Sequence, residues 1–203
     1  MRSVHLQQRA RFAYTAFMTA PEELRTSRLL LRSFTGEDVP AIARLAGAKE
    51  IASTTVQIPH PYAEEDARFF VKKADEDFRA GRSVSFAISL LSPGELCGAV
   101  GLHIAEAHNH AELGYWIGVP FWGNGYATEA AGAVLEFGFR ALRLNRIFAH
   151  HFSGNAASQR VLEKIGMRHE GRSRQHIRKW GTYIDLENYG LLAEDFVRSK
   201  PAR

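Results

Sequence analysis

The sequence predicts a single α/β (α+β) domain, with a mixed, mostly antiparallel central sheet flanked by helices and one β-α-β crossover. Three observations predict it. Strand-like runs in the middle of the chain follow one another through short turns, which is the pattern of an antiparallel meander. Beyond residue 126 the order changes to strand, long helix, strand, the pattern of a crossover between parallel strands. The length of 203 residues, with 45% hydrophobic and 24% charged side chains, suits one globular domain with a real core.

The elements follow in order. Residues 29–34 read as a first strand, stopped at Gly36, and Asp38 then caps a helix to about residue 45 that tolerates Pro40 in its first turn. From residue 62 to 79 the apolar positions Ala67, Phe70, Val71, Ala74 and Phe78 recur at helical spacing, and Gly81 ends the helix. Residues 83–91 and 96–104 alternate as two strands around the turn Ser92-Pro93-Gly94-Glu95. After the turn at His108-Asn109-His110, residues 111–119 are nearly all apolar apart from Glu112, as expected for a central strand buried on both faces. A long helix over 128–142, a strand over 146–152 and a helix over 155–165 closed by Gly166 come next. Two strands, 167–179 and 182–192, turn at Trp180-Gly181. There is no internal repeat and no low-complexity linker.

Residues 1–24 form an N-terminal arm, 25–197 the domain and 198–203 a tail. The arm carries Arg2, Arg9 and Arg11 and no acid in its first 21 positions, which reads as a frayed tail or as a targeting segment; Met18 is a second candidate start. The net charge of +4 favours anionic ligands weakly and does not indicate nucleic acid. No apolar run approaches the length of a membrane span. The single cysteine, Cys97, cannot form an internal disulfide, so a reducing, cytoplasmic setting is expected. With no charged activator beside it in sequence, Cys97 reads as packing rather than as a nucleophile.

The run Phe121-Trp122-Gly123-Asn124-Gly125-Tyr126-Ala127-Thr128-Glu129-Ala130 joins a strand to a helix. Two glycines there bare the backbone where N–H groups and the positive end of a helix dipole meet, which makes an anion seat, typically for phosphate. A dinucleotide fingerprint would need glycine at Thr128 and an acid near Phe148, and a P-loop would need Gly-Lys-Ser/Thr; neither is present. Standing alone, the turn reads equally well as a connector that binds nothing.

It does not stand alone. Asn155-Ala156-Ala157-Ser158 opens a helix some 30 residues later. Arg28-Leu29-Leu30-Leu31-Arg32, Gly98-Ala99-Val100-Gly101-Leu102, Glu112-Leu113-Gly114-Tyr115-Trp116-Ile117 and the closing 185–196 segment complete a set. With these motifs the chain, over about residues 25–197, resembles the acyl-CoA N-acyltransferases of the GNAT superfamily. It is most similar to the group named for ribosomal-protein alanine and serine N-terminal acetylation. One departure is Trp122, which stands where Gln or Arg is common in the superfamily's phosphate motif.

The resemblance implies acetyl-CoA as co-substrate, no metal, and a primary amine as acceptor, attacked without an acyl-enzyme. The acceptor could be a protein N-terminus or a small amine; a non-catalytic CoA-binding module is a third reading. No nucleic-acid or membrane partner is implied, and the chain would be a monomer or homodimer. The backbone of Gly123, Asn124, Gly125, Ala127 and Thr128 would hold the pyrophosphate, and Thr128 could also cap its helix. Ile117 and Val119 would pair with the pantetheine amides where their strand splays from its parallel neighbour. Asn155 would cap its helix and bond the same arm, and Ser158 would protonate the leaving thiolate. For the base, Glu112 is a lone carboxylate in an apolar strand, where burial would raise its pKa; equally, it reads as an exposed strand-end acid. His103 and one of His150 or His151 are alternatives, since adjacent strand residues face opposite ways. Glu129 in a first helical turn reads as structural. Residues 52–62 and the Trp180-Gly181 turn would build the acceptor pocket, with Tyr183, Asp185 and Glu187 forming either an acidic attracting face or a solvated outer one.

Overall fold

The computed structural model describes residues 20–199, so the expectations for the arm up to residue 19 and for the last four residues lie outside it. Eight strands form one sheet: β1 (Leu24–Arg25), β2 (Leu29–Arg32), β3 (Ser83–Leu90), β4 (Leu96–Ala105), β5 (His110–Ile117), β6 (Arg146–Phe152), β7 (Arg168–Lys179) and β8 (Thr182–Leu192). Their order across the sheet is β1-β2-β3-β4-β5-β6-β8-β7. Six of the seven neighbouring pairs are antiparallel; β5 and β6 run parallel. The helices are α1 (Val39–Ala46), α2 (Lys49–Ala52), α3 (Glu64–Arg79), α4 (Tyr126–Arg140), α5 (Ala156–Lys164) and α6 (Ala193–Ser199).

Strand alternation sends side chains to two cores. Phe86 and Ile88 of β3 join Leu102, Ile147, Val134 and Leu135 in a large cluster under α4. Phe86 meets Phe137 of α4 edge-on, with ring centroids 5.7 Å apart. Ala87, one residue out of step, belongs to the opposite cluster with Val39, Ile42 and Leu45 of α1 and Ala67 of α3. The sheet is therefore covered on one face by α1 and α3 and on the other by α4. Gly138 lets α4 settle on the sheet, since a Cβ there would come within 2.7 Å of Ile147 and 2.9 Å of Leu102.

Three expectations need correction. Strand β5 is central, but only Ala111, Leu113 and Ile117 are buried; Glu112 and Trp116 are half-buried and Gly114 is exposed. An apolar run predicts two covered faces, yet a groove borders β5 and is lined by residues of both faces, Glu112 and Tyr115 among them. Asp38 does not cap α1 with its side chain: it accepts from the Thr35 N–H at 2.8 Å and receives both Arg32 guanidinium nitrogens at 2.8 Å. Burial would raise the Asp38 carboxyl, and these donors more than reverse that, holding it below its ordinary value. Thr128 does not cap α4, because Gly125, with φ of 79°, occupies the cap position and Thr128 lies inside the first turn. Helix α6 extends the chain beyond the expected last strand. The β7–β8 turn at Trp180-Gly181 is as expected, both residues having positive φ (49° and 83°), the backbone that a two-residue hairpin needs.

Candidate active site

Strands β5 and β6 pair over three positions only, His110↔Arg146, Ala111↔Ile147 and Glu112↔Phe148, and then part. The fork opens a groove of about 1460 Å³ that runs from the glycine turn to the 53–62 loop. Glu112 stands at the apex of the fork. Its side chain is 36% exposed and lies 3.3 Å from His150 Nδ1, so of the two readings the carboxylate is open to the groove rather than sealed in the core. His150 follows Phe148 by two residues and shares its face, which puts Glu112 and His150 on one side of the sheet and His151 on the other.

On the opposite face Tyr115 projects with Leu113 and Ile117. Its hydroxyl lies 2.6 Å from Ser158 Oγ at the start of α5. Burial pushes the Tyr115 phenol up to about 12, against a smaller opposing effect of Ser158, so the pair stays protonated near neutrality. Asn155 caps α5, its Oδ1 accepting from the Ser158 N–H at 3.1 Å.

The Gly118 N–H donates to Cys97 O of β4 at 2.8 Å. Alternation then turns the N–H and C=O of Ile117 away from β4, into the fork. The carbonyl is engaged there: Trp122 Nε1–H donates to it at 2.6 Å. The departure at Trp122 thus has a structural consequence, because the indole occupies one of the two Ile117 groups expected to pair with a ligand. Val119 has left the strand. It lies in a 3-10 turn, Val119–Phe121, where its carbonyl accepts from the Trp122 N–H, so that carbonyl is already engaged.

At the far end Gly123 and Gly125 both have φ of 79°, a conformation that costs glycine little. The amides from Gly123 to Thr128 find no protein acceptor among the described residues, and α4 starts there. Asn124 holds the turn, its Nδ2 donating to Phe121 O and Trp122 O at 3.1 Å. Gly123, Gly125, Ala127 and Thr128 line the groove; Asn124 and Val119 do not. Glu129 is turned away from the seat. It accepts from Thr26 Oγ1 at 2.6 Å, Ser27 Oγ at 3.0 Å, the Arg28 N–H at 2.9 Å and Arg28 Nε at 2.7 Å. Arg28 also donates to Asn124 O at 2.9 Å and lies 4.8 Å from the Tyr126 ring. The β1–β2 turn therefore clamps the glycine turn through one carboxylate.

The other end of the groove is roofed. Lys179, at the end of β7, donates to Thr55 O and, at 3.1 Å, to Ile58 O, while Trp180 meets His60 edge-on at 6.4 Å. Burial lowers the Lys179 pKa. The hairpin and the 53–62 loop, both expected at the acceptor end, are thus joined. The expected acidic face is not a free one. Glu187 receives Ser153, His169 and Arg172, which bring its carboxyl down to about 2, and Asp185 accepts from the Gln175 N–H at 2.7 Å. Cys97 is fully buried and its thiol is pushed up to about 12 by burial, in keeping with packing.

Sequence reading missed Tyr115, Arg28 and Lys179. For Tyr115 the signal was there: its hydroxyl falls in register with Leu113 and Ile117, on a buried face, and must find a partner. The partners of Arg28 and Lys179 lie about 100 and 120 residues away, which no local pattern reveals. Among the described residues no three metal-ligating side chains cluster, and no helix is long and apolar enough to cross a membrane.

Comparison with known proteins gives a consistent result. The family described as "Acetyltransferase (GNAT) domain" matches residues 28–168. The uncharacterized N-acetyltransferase YoaA of Bacillus subtilis (strain 168) is 34% identical over 170 residues, covering 83% of this chain and 96% of YoaA. YdaF of the same organism, named provisionally as a ribosomal N-acetyltransferase, is 37% identical over 112 residues, 55% of this chain and 61% of YdaF. Among solved structures, a GNAT-family acetyltransferase from Bacillus anthracis aligns with a TM-score of 0.76 at 30% identity, covering 85% of this chain and 99% of that one.

Proposed function

We propose that this chain, which belongs to the GNAT acetyltransferase family, moves an acetyl group from acetyl-CoA to a primary amine by direct attack, the amine being the N-terminal α-amino group of a protein. The observation that carries this reading is the fork, with the Glu112–His150 pair on one face and the Tyr115–Ser158 pair on the other.

The residues fit the co-substrate. Six amides without protein acceptors among the described residues, at a helix N-terminus, suit a pyrophosphate. The Ile117 N–H faces the fork, where a pantetheine amide could extend the sheet. In the reaction the amine nitrogen bonds to the thioester carbon and the carbon–sulfur bond breaks. Glu112, directly or through one water, takes the proton of the attacking amine, and His150 at 3.3 Å orients it. An α-amino group of pKa about 8 needs only modest help to lose that proton. Ser158, held in place by Tyr115, gives its hydroxyl proton to the departing sulfur and regains one through solvent as Glu112 releases the proton it took. A ribosomal protein as acceptor is supported by the name of YdaF.

The test is a turnover assay that follows free thiol, with N-terminal peptides in one arm and polyamines and amino acids in the other. Peptides should be the better acceptors. Glu112→Gln should lower kcat by roughly 10²–10³ with CoA binding kept, the scale of lost general-base catalysis. Unchanged turnover in both Glu112→Gln and Ser158→Ala would refute these roles.

A further inference from the structure

We infer that Gly114 is the opening through which the acceptor amine reaches the thioester, so that the missing side chain at this position governs which amines react. The inference rests on the acetyl-transfer reading above and adds to it a residue that bounds the acceptor side.

A glycine inside a central strand weakens it, and a structural need ordinarily accounts for one. Three such needs are absent at Gly114. A left-handed backbone is not the reason, because Gly114 is not among the glycines with positive φ. A bulge is not the reason, because β4 and β5 pair without a break from Gly98↔Ile117 to Ala105↔His110. Crowding is not the reason either, because a Cβ on Gly114 would meet nothing within 4 Å. Its cross-strand partner Gly101 shows the contrast: a Cβ there would come within 2.7 Å of Val84 O and 2.9 Å of Ser85 Oγ. Gly114 is exposed and lines the groove. The close approach of a ligand is the reason that remains.

Its place points to the part of the ligand concerned. Alternation puts Gly114 on the face of Glu112 and Trp116, roughly 7 Å along β5 from Glu112, while Leu113, Tyr115 and Ile117 face the other way. The base, with His150 beside it, is on the Gly114 face, and Ser158, matched with Tyr115, is on the other. The attacking amine and the departing sulfur therefore belong to opposite sides of the fork. On the amine's side Gly114 lies between Trp116 and Glu112, where the nucleophile has to come down to the sheet. A methyl group at 114 would displace no protein atom, yet it would stand in that path. The gap is thus empty of protein and next to the base, the two properties that an amine approaching Glu112 requires.

The experiment compares wild type with Gly114→Ala and Gly114→Val. It measures ligand-free melting, calorimetric affinity for CoA and for a peptide joined to the CoA sulfur through an acetyl bridge, and turnover with peptides that begin with glycine or with leucine. Gly114→Ala should melt no lower than wild type, because it fills open space and stiffens the unfolded chain. Its CoA dissociation constant should stay within about twofold, whereas the bridged conjugate should bind about tenfold more weakly. Its kcat/KM should fall about ten- to hundredfold, the scale of an ångström-sized misplacement. The fall should be larger for the leucine-first peptide, and larger again in Gly114→Val; should that variant fail to fold, Gly114→Ala decides alone. A wild-type kcat/KM in Gly114→Ala overturns the inference, as does an equal loss of affinity for CoA and the conjugate, a lower melting point, or the same fall for both peptides. If wild type acetylates only small amines, the protein N-terminus as acceptor fails, and a small and a bulky amine replace the two peptides in the same comparison. If it acetylates no amine at all, the acetyl-transfer reading fails and takes the inference with it.

Discussion

Single side chains decide how well the groove is made. Glu129 is the clearest case, because one carboxylate carries four donors from three consecutive residues. Burial would raise its pKa, and the hydrogen bonds from Thr26, Arg28 and Ser27 overcome this and hold it below the usual carboxylate value. A depressed folded-state pKa means stability that is present above the unfolded value and lost as pH falls through the folded one. Glu129→Gln should therefore lower unfolding free energy by about 1–2 kcal/mol near pH 7. That gap should narrow as the pH drops below about 4, as urea titrations at several pH values would report. Tyr115→Phe removes the partner of Ser158 while keeping the ring. Its kcat should fall about tenfold with CoA affinity retained; a parallel loss of CoA affinity would mean that Tyr115 serves binding instead. Trp122→Phe frees the Ile117 carbonyl from the indole. CoA should then bind roughly two- to tenfold tighter, since no internal donor has to be displaced. Weaker binding would show that the indole is a fixed wall of the groove.

At the level of elements, helix and strand periods are legible in the chain, and their order already implies a meander followed by a crossover. The face pattern of β5 is not, because its residues stay largely apolar although the strand borders a groove. Where two parallel strands part is a tertiary feature that the residues of β5 do not record by themselves. The glycine turn is legible because positive φ selects glycine at 123 and 125. Its clamp by the β1–β2 turn is not, since Arg28 and Glu129 lie about 100 residues apart. The meeting of β4 and β5 is equally exacting. A Cβ on Gly98 would collide with Trp116 O and come within 2.9 Å of Ile117 Cδ1. Gly98→Ala should cost about 1–3 kcal/mol in chemical denaturation, the usual scale of overpacking. It should also weaken CoA binding by displacing Ile117, the residue that faces the fork.

Over the whole molecule, the groove draws its two ends from different parts of the chain. The anion end comes from the glycine turn, clamped by the β1–β2 turn, and the chemistry sits on β5, β6 and α5. The acceptor end comes from the 53–62 loop, held by a hairpin some 120 residues away. This last connection runs through one ammonium group, Lys179, on Thr55 O and Ile58 O. Lys179→Met keeps much of the stem and removes the donors, so the loop should loosen while β7 and β8 stay paired. Acceptor KM should then rise about tenfold, the loss of two hydrogen bonds worth roughly 0.5–1.5 kcal/mol each, with the CoA dissociation constant within twofold of wild type. A matching rise in both constants would mean that the two ends are mechanically coupled through the sheet. A split between them would establish that amine selection resides in the Lys179 roof and co-substrate affinity in the glycine turn.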